Sequence, residues 1–268
     1  MVAMFRMDLE RMWKSKSPYI CLAFLILFFY FAGIMLLVAI RPELRQAALD
    51  MGMEITKSDE LDFSFLADQP RIEVLHSMIL GGGGMYIFLC GIMVLFVCSD
   101  FESGFAKNIF SLESKRWKYI FSKMALMQII GIVYFIVLVF SSFLFSKMTK
   151  MEFASSSWMD YLRYMIVLCA MNGGFCAQSM VILMITRSKA AGIAAAILLP
   201  GGIVTAIIEA ICNLFDFSIL KWTLYGSIKN ITFPLTLSQI AFPIAVGIGW
   251  TILWLAISIV LIQKKDVA

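Results

Sequence analysis

The glycine run Gly81–Gly84 is the first feature whose residue types could do chemistry, because glycine-rich turns can cradle a phosphate group. A phosphate-binding loop of that kind also needs a preceding strand and a following Lys and Ser or Thr, whereas this run opens a long apolar segment. The single histidine, His76, has no neighbouring set of ligands and is interpreted as an interfacial residue. The sequence therefore predicts no catalytic residue, no metal site and no cofactor site in this chain.

A polar stretch inside another apolar segment is the second candidate. Asn172, Cys176 and Ser179 share one helical face, and Gln178 lies beside them in the sequence. These side chains could line a substrate path, or they could form hydrogen bonds to a neighbouring helix. Both interpretations remain open at this stage.

The third candidate is a charged insert, residues 99–123, which separates two apolar runs. Its apolar residues recur at helical spacing and predict an amphipathic helix that begins near Asp100. They are Phe101, Phe105, Ile109 and Leu112. An apolar stripe on a helix outside the bilayer has to dock on a membrane surface or in a protein groove. The basic residues that follow are interpreted as a membrane anchor: Lys115, Arg116, Lys118 and Lys123.

The elements that must position these residues are predicted from composition. Of the 268 residues, 61% are hydrophobic and 15% are charged, which is typical of a polytopic membrane protein. Helix is the expected conformation, because backbone groups in lipid must be satisfied within each segment, so the predicted fold class is all-α. Six stretches are long enough to span a bilayer: 18–40, 78–98, 124–145, 161–185, 190–211 and 240–262. Pro200, Gly201 and Gly202 predict a bend in the fifth.

The distribution of basic residues predicts that both termini and the charged insert face the cytoplasm. Residues 2–14 are predicted to form an amphipathic helix that lies flat in the inner headgroup layer, within an interfacial segment 1–17. Glu10, Arg11 and Lys14 fall on its polar face. The alternative, a simple extension of the first span, remains open. The aromatic segment 212–239 is predicted to dip into the outer leaflet as short half-helices.

This layout resembles the membrane subunit of ABC transporters of the ABC-2 (type V exporter) class. In sequence the resemblance rests on the charged insert, where that class tends to show an acid, a glycine, a basic residue, a short apolar run and a final Arg or Lys. The matching residues are Asp100, Glu102, Gly104, Lys107, Ile109, Arg116 and Lys123. Phe105 stands where a small hydroxyl residue is common, and the usual proline before the basic residue is absent.

The resemblance implies one ABC-2 type transmembrane domain over residues 1–268, with six transmembrane helices, an N-terminal interfacial helix and a cytoplasmic coupling helix between helices 2 and 3. It also implies a complex in the bacterial plasma membrane. The complex would contain two copies of a separate ATPase subunit, which bind ATP and Mg. It would also contain a second permease subunit, identical or related to this chain. Membrane lipid is a further expected partner, and nucleic acid is not expected. The residues expected to couple to the ATPase are Asp100, Phe101, Glu102, Gly104, Phe105, Lys107 and Ile109.

The expected substrate is hydrophobic or amphipathic. Members of this class rich in Met and Phe, of which this chain has 19 and 23, resemble exporters of antimicrobial or amphipathic peptides or of lipophilic drugs. The chain itself is not expected to be an enzyme. The alternative from another class is an ATP-independent secondary transporter or channel, which predicts charges buried in the membrane domain.

Overall fold

The computed structural model describes residues 2–41, 43, 46, 69–112, 116–151 and 153–264. Over these residues the chain is helical, and its only extended pairing is an isolated bridge between Pro70 and Ala154. The predicted all-α fold class is confirmed. Lys115, which was assigned to the basic anchor, lies outside the described part of the chain.

The helices follow in this order: α1 Val2–Lys14, α2 Ser17–Ile40, α3 Arg71–Leu75, a π-helical turn His76–Leu80, α4 Gly84–Glu102, α5 Phe105–Leu112, α6 Trp117–Thr149, α7 Trp158–Thr186, α8 Lys189–Leu198, α9 Ile203–Asn213, a 3₁₀ turn Leu220–Trp222, α10 Leu224–Lys229 and α11 Leu237–Lys264. Within the described ranges, α2, α4, α6, α7 and α11 are long and apolar enough to cross a membrane. Helix α6 has 33 residues and a length of about 50 Å, so it extends beyond a bilayer core of about 30 Å.

The predicted fifth span is two helices, because α8 and α9 meet at an angle of 61°. The predicted bend is therefore confirmed, and six spans are reached only if this bent pair counts as one. Pro200 has no backbone N–H to donate, and Gly202 has a φ of +77°, a left-handed conformation that favours glycine. These two residues explain why the helix ends before position 200 and restarts at Ile203.

A second break precedes α4, which begins at Gly84 and not at Met78 as predicted. Gly83 has a φ of +76°, and a Cβ atom at this position would overlap the carbonyl oxygen of Pro200. The break before α4 and the break between α8 and α9 therefore touch each other. Glycine is needed at position 83 for the backbone conformation and for this close approach.

Helix α7 is the centre of the bundle. In its most apolar stretch 72% of the residues are buried, against 17% in α11 and 28% in α2. Helices α11 and α2 therefore lie at the periphery. Helix α11 packs along α7, α8 packs along α4, and α1 packs along α6.

One end of the bundle brings together α1, the N-terminus of α6 and the C-termini of α4, α7 and α11; we call it the charged end. Arg116, just before α6, donates a hydrogen bond to the carbonyl of Ile262 in α11 at 3.0 Å. Arg187 ends α7 in a left-handed conformation with a φ of +50°. Ser188 then caps α8 by accepting a hydrogen bond from the backbone N–H of Ala191.

Candidate functional site

The charged insert forms two helices that meet at Gly104. Helix α4 continues through Glu102, and Gly104 then turns the chain with a φ of +71° before α5 begins at Phe105. The predicted single helix from Asp100 is therefore wrong at its start, because the left-handed turn separates Phe101 from α5. Glycine is the residue that takes this conformation at little cost.

The buried face of α5 contains other residues than the predicted apolar stripe. Ala106, Ile109 and Phe110 are buried, and the Phe110 ring packs edge-on against Tyr119 of α6 at 5.3 Å between centroids. Lys107 is exposed. Helix α5 is thus docked on the N-terminus of α6 through one apolar face.

Four charged side chains meet beneath α5, and we call Asp8, Arg11, Asp100 and Lys123 the ionic cluster. The Nζ atom of Lys123 lies 2.7 Å from Asp8 Oδ1 and 2.6 Å from Asp100 Oδ2. A nitrogen of the Arg11 guanidinium lies 2.7 Å from Asp100 Oδ1. The side chains of Asp8, Asp100 and Lys123 are completely buried. The cluster therefore joins α1, α4 and α6 through three fully buried charges and the partly exposed Arg11.

Neighbouring polar and aromatic side chains contact the ionic cluster. The hydroxyl of Ser122 donates to Asp8 at 2.6 Å, and the hydroxyl of Tyr119 donates to Asp100 at 3.0 Å. The Lys123 ammonium also lies 3.9 Å from the centroid of the Phe96 ring. Two cations and two carboxylates balance, so loss of one partner would leave a buried charge uncompensated, at a cost of about 3–5 kcal/mol.

Arg11 connects the ionic cluster to α5. Its guanidinium carbon lies 3.8 Å from the centroid of the Phe105 ring, while its nitrogen pairs with Asp100. A contact of this kind contributes roughly 0.5–2 kcal/mol. Arg11 was placed on the solvated face of α1 by the sequence pattern, and the structure instead directs it inward between α4 and α5.

The sequence interpretation missed the ionic cluster. The prediction that Lys123 belongs to the membrane anchor is wrong, because its side chain is buried. A usable signal was present in α1: Asp8 lies three residues after Phe5 and four before Met12, on the apolar face. An acid at that position predicts a buried partner.

The predicted coupling residues divide between the interior and the surface. Asp100 and Ile109 are buried, Phe105 and Gly104 are half-buried, and Phe101, Glu102 and Lys107 are exposed. A cleft of about 320 Å³ opens between the α4–α5 turn and the α7–α8 turn. It is lined by Phe101, Glu102, Gly104, Lys107, Arg187 and Lys189, among others.

The predicted polar stretch of α7 faces the interior of the bundle. The side-chain amide of Asn172 donates to the carbonyl of Met127 in α6 at 3.0 Å, and the Cys176 thiol donates to Asn172 at 3.2 Å. Ser179 is fully buried, and its hydroxyl has no hydrogen-bond partner among the described residues, whereas Gln178 is half-buried. A cavity of about 10 Å³, roughly the room of one water, adjoins Asn172.

His76 lies in the π-helical turn and is buried. Its Nδ1 atom lies 2.5 Å from the hydroxyl of Tyr164 in α7, and its ring packs edge-on against Phe233. Burial lowers the pKa of His76 to about 4, against the opposing effect of a hydrogen bond with the backbone of Lys229. Within the described ranges, no three His, Cys, Asp or Glu side chains gather into a set that could hold a metal ion.

No protein-family model matches this chain, and no curated protein matches it either.

Proposed function

We propose that this chain is the membrane-spanning subunit of an ATP-driven exporter of the ABC-2 class, in which a separate ATPase subunit hydrolyses ATP. The observation that carries the proposal is the attachment of α5 to the ionic cluster through the contact between Phe105 and Arg11. In this proposal α5 is the cytoplasmic coupling helix, and α1 is the interfacial helix. Both chain termini and α5 face the cytoplasm of a bacterial cell.

The ATPase subunit docks at the cleft beside Glu102 and Lys107. Exposed Phe101 supplies an apolar contact, and the acid and base at the rim favour a partner segment that carries both charge signs. Two ATPase copies and a second permease subunit complete the transporter. ATP and Mg bind to the partner and not to this chain.

Closure of the ATPase pushes α5 against the bundle. Because Arg11 contacts Phe105 and pairs with Asp100, and Lys123 joins Asp100 to Asp8, a displacement of α5 reaches α1, α4 and α6 together. A network of buried ion pairs is stiff, because separating any pair exposes an uncompensated charge in a low dielectric. The ionic cluster thus transmits the movement as one body.

The movement is converted into transport at the two touching helix breaks. Broken helices whose breaks lie within the membrane domain are typical of transporters, because they allow one part of a helix to move relative to the other. The break before α4 and the α8–α9 break meet at Gly83 and Pro200. The substrate, an amphipathic peptide or lipophilic drug, moves between the two permease subunits, while the buried stretch from Asn172 to Ser179 bonds α7 to α6 within one subunit.

Co-purification tests the proposal directly. An affinity-tagged chain, extracted in mild detergent from its native membrane, should retain a polypeptide with a phosphate-binding loop and measurable ATPase activity. Retention should fall in Glu102→Lys/Lys107→Glu, which reverses the charges at the cleft. The matched control is Glu10→Lys/Lys14→Glu, which reverses an exposed pair on α1. A preparation that exports substrate with no ATPase attached would contradict the proposal.

The ionic cluster also gives a reason to keep the secondary-transporter alternative. Charged residues buried in a membrane domain are typical of ion-coupled transporters, and Asp8, Asp100 and Lys123 are buried. Under this alternative, transport by the purified chain follows an imposed pH gradient in the absence of ATP. Under the ABC-2 proposal a pH gradient alone moves nothing.

A further inference from the structure

A groove of about 520 Å³ runs along the outside of the bundle between α6 and α7, towards the end opposite to the charged end. Its lining is aromatic and aliphatic and includes Phe135, Val139, Phe143, Trp158, Tyr161 and Leu162. We call it the α6/α7 groove. Its walls belong to two helices that are apolar enough to span a membrane, so the groove opens towards lipid.

Tyr161 lines the groove and carries a covered polar atom. Tyr161 is 7% exposed, and its hydroxyl has no hydrogen-bond partner among the described residues. A buried hydroxyl that stays unpaired costs about 1–3 kcal/mol. The site therefore favours a ligand that brings a hydrogen-bond acceptor to Tyr161.

A positive charge stands at the outer edge of the groove. The backbone N–H of Arg71 donates to the carbonyl of Ala154, and that of Ile72 donates to Ser156 Oγ, at 3.2 and 3.1 Å. These bonds fix the backbone at the start of α3, and the Arg71 guanidinium carbon lies 3.9 Å from the centroid of the Phe143 ring, which lines the groove.

The guanidinium of Arg71 is available to an anion. Its Nε atom is buried without a hydrogen-bond partner, and none of the described carboxylates lies within ion-pair distance. Lys147 is exposed one turn beyond Phe143 on the same face of α6 and adds a second positive charge. The outer edge of the groove is therefore electrostatically suited to a phosphate group.

We propose that the α6/α7 groove binds one phospholipid. An acyl chain lies along the apolar floor between Phe135 and Phe143, a distance of about 12 Å at helical rise. The phosphate pairs with Arg71, and an ester oxygen accepts a hydrogen bond from Tyr161. The combination of an apolar trough, a buried unpaired hydroxyl and a cation at one end matches an acyl chain that ends in a phosphate ester.

Photolabelling tests the lipid site. The full chain is reconstituted in phosphatidylcholine nanodiscs that contain a small fraction of phosphatidylglycerol with a photoreactive group in its acyl chain, and labelled peptides are mapped. We expect labelling of the α6/α7 groove to exceed labelling of the exposed apolar surface of α11 around Ile248, Ile252 and Leu253. In Arg71→Gln/Tyr161→Phe the lipid fraction needed for half-maximal groove labelling should rise about tenfold.

The control removes a positive charge elsewhere. Lys221→Gln changes an exposed lysine beside Trp222 and should leave groove labelling unchanged. Equal labelling of the groove and α11 in the wild-type chain would overturn the proposal. It would also be overturned if Lys221→Gln weakened labelling as much as the double variant, or if the groove formed cross-links to a second copy of the chain in place of lipid.

Discussion

The Nζ atom of Lys123 lies 2.7 Å from Asp8 Oδ1, although the two residues are 115 positions apart in the chain. Both side chains are completely buried. This pair fastens α1 to α6, and Asp100 extends the connection to α4. The relationship makes α1 an integral part of the bundle at the charged end.

Removal of the Lys123 charge should destabilise the protein strongly. Lys123→Met leaves Asp8 and Asp100 without their shared cation, so we expect a loss of about 3–5 kcal/mol, read as a lower melting temperature in detergent. Asp8→Asn/Lys123→Met restores the charge balance and should lose less than the sum of its single variants. Lys16→Met, which removes an exposed lysine between α1 and α2, is the matched control and should be near neutral. Additive losses in the double variant would contradict this account of the pair.

Replacement of the contact residues at α5 should separate ATP hydrolysis from transport. Glu102→Gln/Phe105→Ala removes a charge at the docking cleft and the ring that contacts Arg11. In the complex with its ATPase, we expect basal hydrolysis to remain and substrate-stimulated hydrolysis to disappear, while membrane insertion is normal. Glu10→Gln/Trp13→Ala, an exposed acid and an exposed aromatic on α1, should keep stimulation. Normal stimulation in the α5 variant would count against the docking assignment.

The glycines at the two ends of α4 should differ sharply in their tolerance of a methyl group. Gly83→Ala adds left-handed strain of about 1–2 kcal/mol and a clash with Pro200, so it should be the most destabilising. Gly104→Ala has the same left-handed strain but open space around it, so it should cost only that strain of about 1–2 kcal/mol. Gly82→Ala has neither and should be neutral. Melting temperatures of the three variants give the order, and equal values would show that the breaks do not need to touch.

Acidification should destabilise the protein through His76. Its pKa is about 4 in the folded chain and near 6.5 when exposed, so protons bind the unfolded state preferentially between these values. Stability should therefore fall as the pH drops from about 6.5 to about 4, by roughly 3 kcal/mol in total, and change little through this residue below pH 4. The difference in melting temperature between wild type and His76→Gln over this range isolates the effect from carboxylate titration. A constant difference would contradict the burial of a neutral imidazole.

The membrane helices could be predicted from sequence because the signal is local. Runs of apolar residues identify α2, α6, α7 and α11, and the residue types at Pro200 and Gly202 predict the bend between α8 and α9. Helix ends were less well predicted. The start of α6 at Trp117 places Lys123 inside a helix, whereas the charge of this residue suggested a loop.

The ionic cluster could not be derived in the same way, because its four members come from three distant segments. A charged residue near a helix end has the same local sequence whether it meets water or a buried partner. Only the packing of α1 on α6 decides the environment of Asp8 and Lys123. The π-helical turn at His76 was also missed, since it depends on the contact with Tyr164 and on the space beside Gly81.

Reconstitution in sealed vesicles tests the central claim, that energy for transport arrives from a separate ATPase through α5. The vesicles hold a fluorescent amphipathic peptide outside, and the chain is oriented so that α5 and the attached ATPase also face outside. We expect ATP-dependent accumulation of the peptide against its gradient with the complex, and none with the chain alone or with Glu102→Gln/Phe105→Ala. Accumulation by the purified chain without any nucleotide-hydrolysing partner would contradict the claim.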